Sequence, residues 1–73
     1  MAMLIIMDRS GDSRHFFDQD NPEALAIAER RFRKLTGQGY TAAARTMAGD
    51  LNVIRTLDPT AQETLFYPRL VGG

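Results

Sequence analysis

Apolar residues run unbroken from Met3 to Met7, polar and apolar residues alternate from Ser13 to Asp18 around Phe16 and Phe17, and apolar positions then recur at steps of three and four through Leu25, Ala28, Phe32 and Leu35. The first two stretches have the length and residue types of strands. The polar, glycine-containing Asp8-Arg9-Ser10-Gly11-Asp12 between them marks a tight connection, so the chain opens as a β-hairpin. A strand that is apolar at successive positions is one buried on both faces, which places Met3–Met7 inside the sheet rather than at its edge. Phe16 and Phe17, adjacent on the second strand, must point to opposite faces, and one of them is expected in solvent.

The third stretch is helical, with signals at both ends. Asn21 is a good N-cap and Pro22 fits the first helical position, while Asp18, Asp20 and Glu23 place negative charge at the positive end of the helix dipole. Ala24 and Ile27 widen the apolar stripe. Arg30, Arg31, Arg33 and Lys34 gather toward the C-terminal end, where they complement the dipole, and Gly37 is placed to end the helix in a left-handed conformation. The basic cluster reads as a solvated helix end rather than a nucleic-acid patch.

Beyond the helix the pattern is mixed. Tyr40 and Thr41 favour strand, whereas Ala42-Ala43-Ala44 favours helix; the flanking glycines and the sheet that must be buried select a strand over Tyr40–Met47. Ala48-Gly49-Asp50 is a turn, Leu51–Leu57 a strand, and Asp58-Pro59-Thr60-Ala61 has the aspartate-then-proline order of a type I turn. Thr64–Tyr67 is the last strand, halted by Pro68. Two strands, one helix and two or three further strands define an α+β chain, a mixed sheet of four to five strands with one helix across it. Residues 1–68 form the single domain and residues 69–73 an extended tail, expected to be mobile because nothing after Pro68 buries enough apolar area to offset an ordering entropy of about 1 to 2 kcal/mol per residue.

Composition narrows the chemistry. At 73 residues the chain is one domain, of a size that buries only about 60 % of its unfolded surface. Without cysteine it has no disulfide, thiolate cluster or cysteine nucleophile, and a single histidine, His15, argues against a zinc site. Nine basic and nine acidic residues give zero net charge, no field to draw nucleic acid or an anionic membrane. The apolar opening is too short for a signal segment or a membrane span, so the cytoplasm is the expected location. No catalytic residue set is visible: there is no triad, no phosphate-binding loop and no convincingly placed carboxylate pair.

The element order and the ending Phe66-Tyr67-Pro68-Arg69-Leu70-Val71-Gly72-Gly73 together resemble the β-grasp superfamily of ubiquitin-like proteins and sulfur carriers, the molybdopterin-synthase small subunits and thiamin-biosynthesis carriers among them. The tail is similar to the carrier pattern of an apolar or aromatic residue, proline, two apolar residues and Gly-Gly, and to ubiquitin's own arginine, leucine, arginine, Gly-Gly with Val71 at the second arginine. The resemblance implies that Gly73 bears the activated carboxylate, that Gly72 gives clearance for a partner's channel, since glycine has no Cβ, and that an activating enzyme inspects Arg69. Leu70, Val71 and Tyr67 complete the implied partner-binding set. The chain departs from the carriers in having Arg69 where they have a second proline, and from ubiquitin in having a single lysine, Lys34.

A terminal carboxylate with a pKa of about 3.3 to 3.7 is ionised at neutral pH and is a poor acyl donor. The resemblance implies that an E1-like adenylating enzyme, bringing ATP and magnesium, converts it to an acyl-adenylate open to sulfide, a thiol or a lysine amine. The chain would then be the substrate and carrier, a monomer when free, binding no cofactor or metal itself. Three functions stay open: a sulfur carrier working with a sulfur-accepting synthase, a protein modifier removed by a deconjugating metalloprotease, and a β-grasp interaction module, a phage or operon assembly factor or inhibitor, whose Gly-Gly is incidental. The lone lysine and the proline before the tail favour the first.

Overall fold

The computed structural model describes residues 1–68. Its elements are β1 (Ala2–Asp8), β2 (Gly11–Phe17), α1 (Pro22–Gly37), β3 (Tyr40–Arg45), β4 (Leu51–Ile54) and β5 (Glu63–Pro68). The strands form one five-stranded sheet in the order β2-β1-β5-β3-β4. β1 and β5 run parallel, and the other neighbours run antiparallel. With α1 laid across one face, this is the α+β, β-grasp arrangement. The segment 40–47, ambiguous by propensity, is a strand over Tyr40–Arg45, and β1 lies inside the sheet between β2 and β5.

Local chemistry sets the element ends. In the first hairpin Asp8 Oδ1 accepts from the Ser10 amide at 2.7 Å and the Ser10 hydroxyl at 2.6 Å, and Gly11 takes φ +124°, a region that favours glycine. Asn21 Oδ1 accepts from the amides of Glu23 at 2.9 Å and Ala24 at 3.3 Å, capping α1 as its side chain suggests. The C-terminal end differs from expectation. The helix runs through Gly37, Gln38 caps it, and the left-handed residue is Gly39, at φ +100°. Its amide donates to the Thr36 carbonyl at 3.1 Å, so the reversal that Gly37 was expected to make falls two residues later.

Two strands are shorter than their apolar pattern. β3 stops at Arg45 because Thr46 closes a turn: its amide donates to the Asp50 carbonyl at 2.7 Å, and its carbonyl accepts from the Gly49 amide at 2.9 Å. β4 stops at Ile54, whereas its pattern ran to Leu57. Strict alternation from Ile54 on the helix side would put Leu57 on the reverse face, yet Leu57 packs against the helix-side core, so the chain leaves the ladder to bury it. Asp58 to Ala61 makes the expected turn, with Asp58 Oδ1 accepting from the Thr60 amide at 2.9 Å and its carbonyl from the Ala61 amide at 3.2 Å.

The register assigns every strand residue to a face. Leu4, Ala42 and Phe66 point toward the helix and meet Ala28 and Phe32 in the buried core. The Phe32 and Phe66 rings meet edge to face at 5.4 Å, a favoured aromatic geometry. Small Ala42 lets the helix approach the sheet closely, which explains a residue of strong helix propensity inside a strand. The reverse face carries Phe16, Met3, Ile5, Met7, Leu65, Tyr67, Ala43, Leu51 and Val53.

Candidate functional site

The last strand is central, not peripheral. β5 is held on one side by β1 and on the other by β3, and it carries the chain to Pro68, which sits opposite Tyr40. Since β1 and β5 are parallel, Pro68 reaches the same end of the sheet as the β1–β2 turn. There Asp8, Arg9, Ser10, Gln38, Gly39, Tyr40 and Pro68 line an open depression of about 600 Å³. The Ser10 hydroxyl and then its amide, both bonded to Asp8, hold that carboxyl below its ordinary value. One acidic and one basic side chain, Asp8 and Arg9, therefore stand beside the point from which residues 69–73 continue.

Arg69, Leu70, Val71, Gly72 and Gly73 lie outside the described residues, and so does the expected mobility of that segment. Of the expected partner-binding residues Tyr67 alone is described. It is half-buried on β5 with its side chain on the reverse face, opposite Thr41 of β3. Residue types gave no indication that Arg9 of the β1–β2 turn would meet Gln38 and Tyr40 of the α1–β3 connection; only the sheet order brings them to Pro68.

The reverse face is the second candidate surface. Among the described residues no helix packs on it. Ile5, Ala43 and Leu65 form its middle row and are nonetheless buried, with Met3, Met7 and Tyr67 half-buried around them. Phe16, on the β2 edge, is 67 % exposed and Val53, on the opposite β4 edge, 68 %, with Leu51 exposed beside Val53 on β4. Phe16 is thus the outward aromatic expected of the Phe16–Phe17 pair, and Phe17 packs against the core. Among the described residues an ion pair crosses this face, Arg45 Nε to Glu63 Oε2 at 2.8 Å.

The basic helix residues do not gather into one patch. Arg31 lines a groove beside β2, while Arg33 lies on the other flank with Arg55. His15 is half-buried on the helix-facing side of β2. Among the described residues no three of histidine, cysteine, aspartate and glutamate are grouped to hold a metal ion, and no helix is long and apolar enough to cross a membrane.

The fold therefore defines the class: a β-grasp domain with an open apolar sheet face and a central last strand. Comparison with protein-family models, with curated proteins and with solved structures gives no match.

Proposed function

We propose that this chain is a ubiquitin-like sulfur carrier whose C-terminal carboxylate, borne by Gly73, is activated by a separate adenylating enzyme. In the first step a carboxylate oxygen attacks the α-phosphorus of ATP and pyrophosphate leaves. In the second, hydrosulfide attacks the acyl carbon, the bond to AMP breaks, and a thiocarboxylate remains for a sulfur-accepting synthase. The nucleotide and magnesium belong to the partner; this chain supplies the acyl group and the docking surface. The observation that carries the reading is the placement of β5: a central strand, held between β1 and β3, brings Pro68 to one end of the sheet, and in the sequence Arg69-Leu70-Val71-Gly72-Gly73 follows it. A tail anchored in that way starts from a fixed point, which lowers the entropy lost when a partner's channel takes it up.

Intact-mass measurement of the chain from its native host tests this, with a Gly73-deleted form as control. Replacement of one oxygen by sulfur, seen only in the full chain, is the expected result. Larger species joined through this tail to lysines would instead make it a modifier. The exposed Phe16, Leu51 and Val53 favour one second reading, a β-grasp interaction module that works through its sheet face with an incidental Gly-Gly. An unmodified mass together with recovery of a stoichiometric partner, lost on Val53→Asp, would select it.

A further inference from the structure

The two edges of the sheet are not guarded alike. β2 carries Asp12 and Arg14 within its length, whereas β4, Leu51–Ile54, has no charge and no proline, the residues that ordinarily keep an edge strand from pairing with another chain. Leu51, Asn52 and Val53 are all exposed on it. Its shortness, four residues, is the guard that remains.

The ladder with β3 fixes which main-chain groups face outward. The Thr46 amide donates to the Asp50 carbonyl, and that pair continues the register in which Ala44 faces Asn52 and Ala42 faces Ile54. Bonded pairs alternate with unbonded ones in an antiparallel ladder, so Asn52 and Ile54 give their N–H and C=O groups to β3, and Leu51 and Val53 turn theirs to solvent. The side chains of Leu51 and Val53 lie on the reverse face, opposite Arg45 and Ala43, and that of Asn52 on the helix-facing side. Asp50 precedes the strand and Arg55 follows it. The segment from Asp50 to Arg55 is therefore acidic at one end and basic at the other, and it complements a reversed copy of itself.

We propose that β4 pairs antiparallel with β4 of a second copy of this chain, joining the two sheets into one. In the register that the outward groups select, Leu51 lies opposite Val53 of the other copy and exchanges main-chain bonds with it, and the reciprocal pair does the same. The two-fold axis passes between the two Asn52 residues, whose side-chain amides each offer a donor and an acceptor to the other. On the reverse face Leu51 and Val53 of the other copy form an apolar cross-strand pair. Asp50 comes opposite the other copy's Ile54, one residue from its Arg55. Zero net charge leaves no long-range repulsion between the copies. A four-residue strand does not by itself bury the roughly 1,200 Å² of a stable interface, so the dimer is weak and reversible. It departs from the free monomer that the family resemblance implies. It is also independent of the chemistry at Gly73, since the two-fold axis sends the two Pro68 residues to opposite ends of the joined sheet.

The test is sedimentation velocity of the full chain from about 10 µM to about 1 mM, the range over which a weak interface fills, with amide shifts of the ¹⁵N-labelled chain followed over the same series. A monomer that gives way to a dimer is expected, with concentration-dependent shifts confined to residues 50–55 and the part of β3 beside them. Val53→Lys, which puts a charge into the bare edge, should weaken the dimer about tenfold or more. Asp50→Arg should weaken it about threefold, the scale of an exposed ion pair counted at both ends, and adding Arg55→Asp to that variant should restore it. Phe16→Lys, at the far edge of the sheet, should dimerise as the parent does. Dispersed amide spectra establish that each variant is folded, and the Asp50 and Arg55 exchange serves alone if Val53→Lys is not. A chain that stays monomeric at the highest concentration, a dimer that Val53→Lys leaves intact, shifts centred on Phe16, or a double exchange that fails to restore the dimer would each overturn the proposal.

Discussion

On the helix-facing side of the sheet, Leu4, Ala42 and Phe66 disappear beneath Ala28 and Phe32, whereas on the reverse side Phe16, Leu51 and Val53 stay in solvent. The residue types on the two faces are alike. Their difference is in what lies opposite: one face has a helix, and the other has nothing packed on it among the described residues. Burial on the reverse face is achieved only in its middle row, Ile5, Leu65 and Ala43, where neighbours on adjacent strands crowd around them. Phe16 on the β2 edge and Leu51 and Val53 on the β4 edge stay exposed on either side of that buried row.

The comparison can be broken most directly by truncating one large residue on each face. Phe66→Ala, which removes a ring that is 0 % exposed, should cost about 3 to 5 kcal/mol, enough to unfold much of a domain of this length. Val53→Ala should change stability by no more than about 0.5 kcal/mol. Urea unfolding of both variants measures the contrast, and comparable losses would mean that something covers the reverse face. Next in size is the cap on the helix that makes the two faces different. Asn21→Ala removes the acceptor for the amides of Glu23 and Ala24 and should cost about 1 kcal/mol, with amide exchange accelerated in the first turn of α1.

Smaller still is the ion pair on the open face. Arg45 and Glu63 meet at 2.8 Å, but their side chains are 41 % and 32 % exposed, so a double-mutant cycle with Arg45→Ala and Glu63→Ala should give a coupling of about 0.2 to 1 kcal/mol that shrinks with added salt. A coupling several times larger, unaffected by salt, would show that this face is drier than these exposures indicate. The smallest expected effect is in the turns at the two ends of the sheet. The hydroxyls and then the amides of Ser10 and Thr60 hold Asp8 and Asp58 below the ordinary carboxylate value. A carboxyl depressed in the folded state contributes stability that is present above its unfolded pKa of about 3.9 and lost as pH falls through the folded value. Thermal melts should therefore fall slightly faster below pH 4 for the parent than for Asp58→Asn, and parallel profiles would contradict the assignment.

Much of this was legible in the residues. The hairpin around Gly11, the capped helix at Asn21, the proline that ends β5 and the β-grasp order each rest on a local rule, and local rules act whatever the distant chain does. The discrepancies arise where tertiary contacts compete with those rules. Leu57 was counted into a strand because it is apolar, yet the helix-side core draws it off the ladder. Gly37 was given the reversal, but two more residues continue the turn until Gly39 takes it. The implied site was legible only as a pattern at the chain's end; Arg69 through Gly73 rest on sequence alone, and Tyr67 is the member of that set with a described position.

The sequence by itself determined the order of the elements and the start of the helix, because N-caps, glycine turns and hydrophobic periods are properties of neighbouring residues, while the ends of β3 and β4 were set by the folded chain. It also determined that β1 is interior, since an unbroken apolar run has no polar face to give to water. Only the tertiary structure decided which apolar residues the helix covers, and it did so through register. A shift of one residue in the pairing of a strand exchanges its two faces, so Phe17 and Val53 differ in fate through the partners that set their side of the sheet. The groove beside β2 has the same origin: it exists because α1 rests over Leu4 and Phe66, leaving Ile27 and Arg31 beside an unpaired edge.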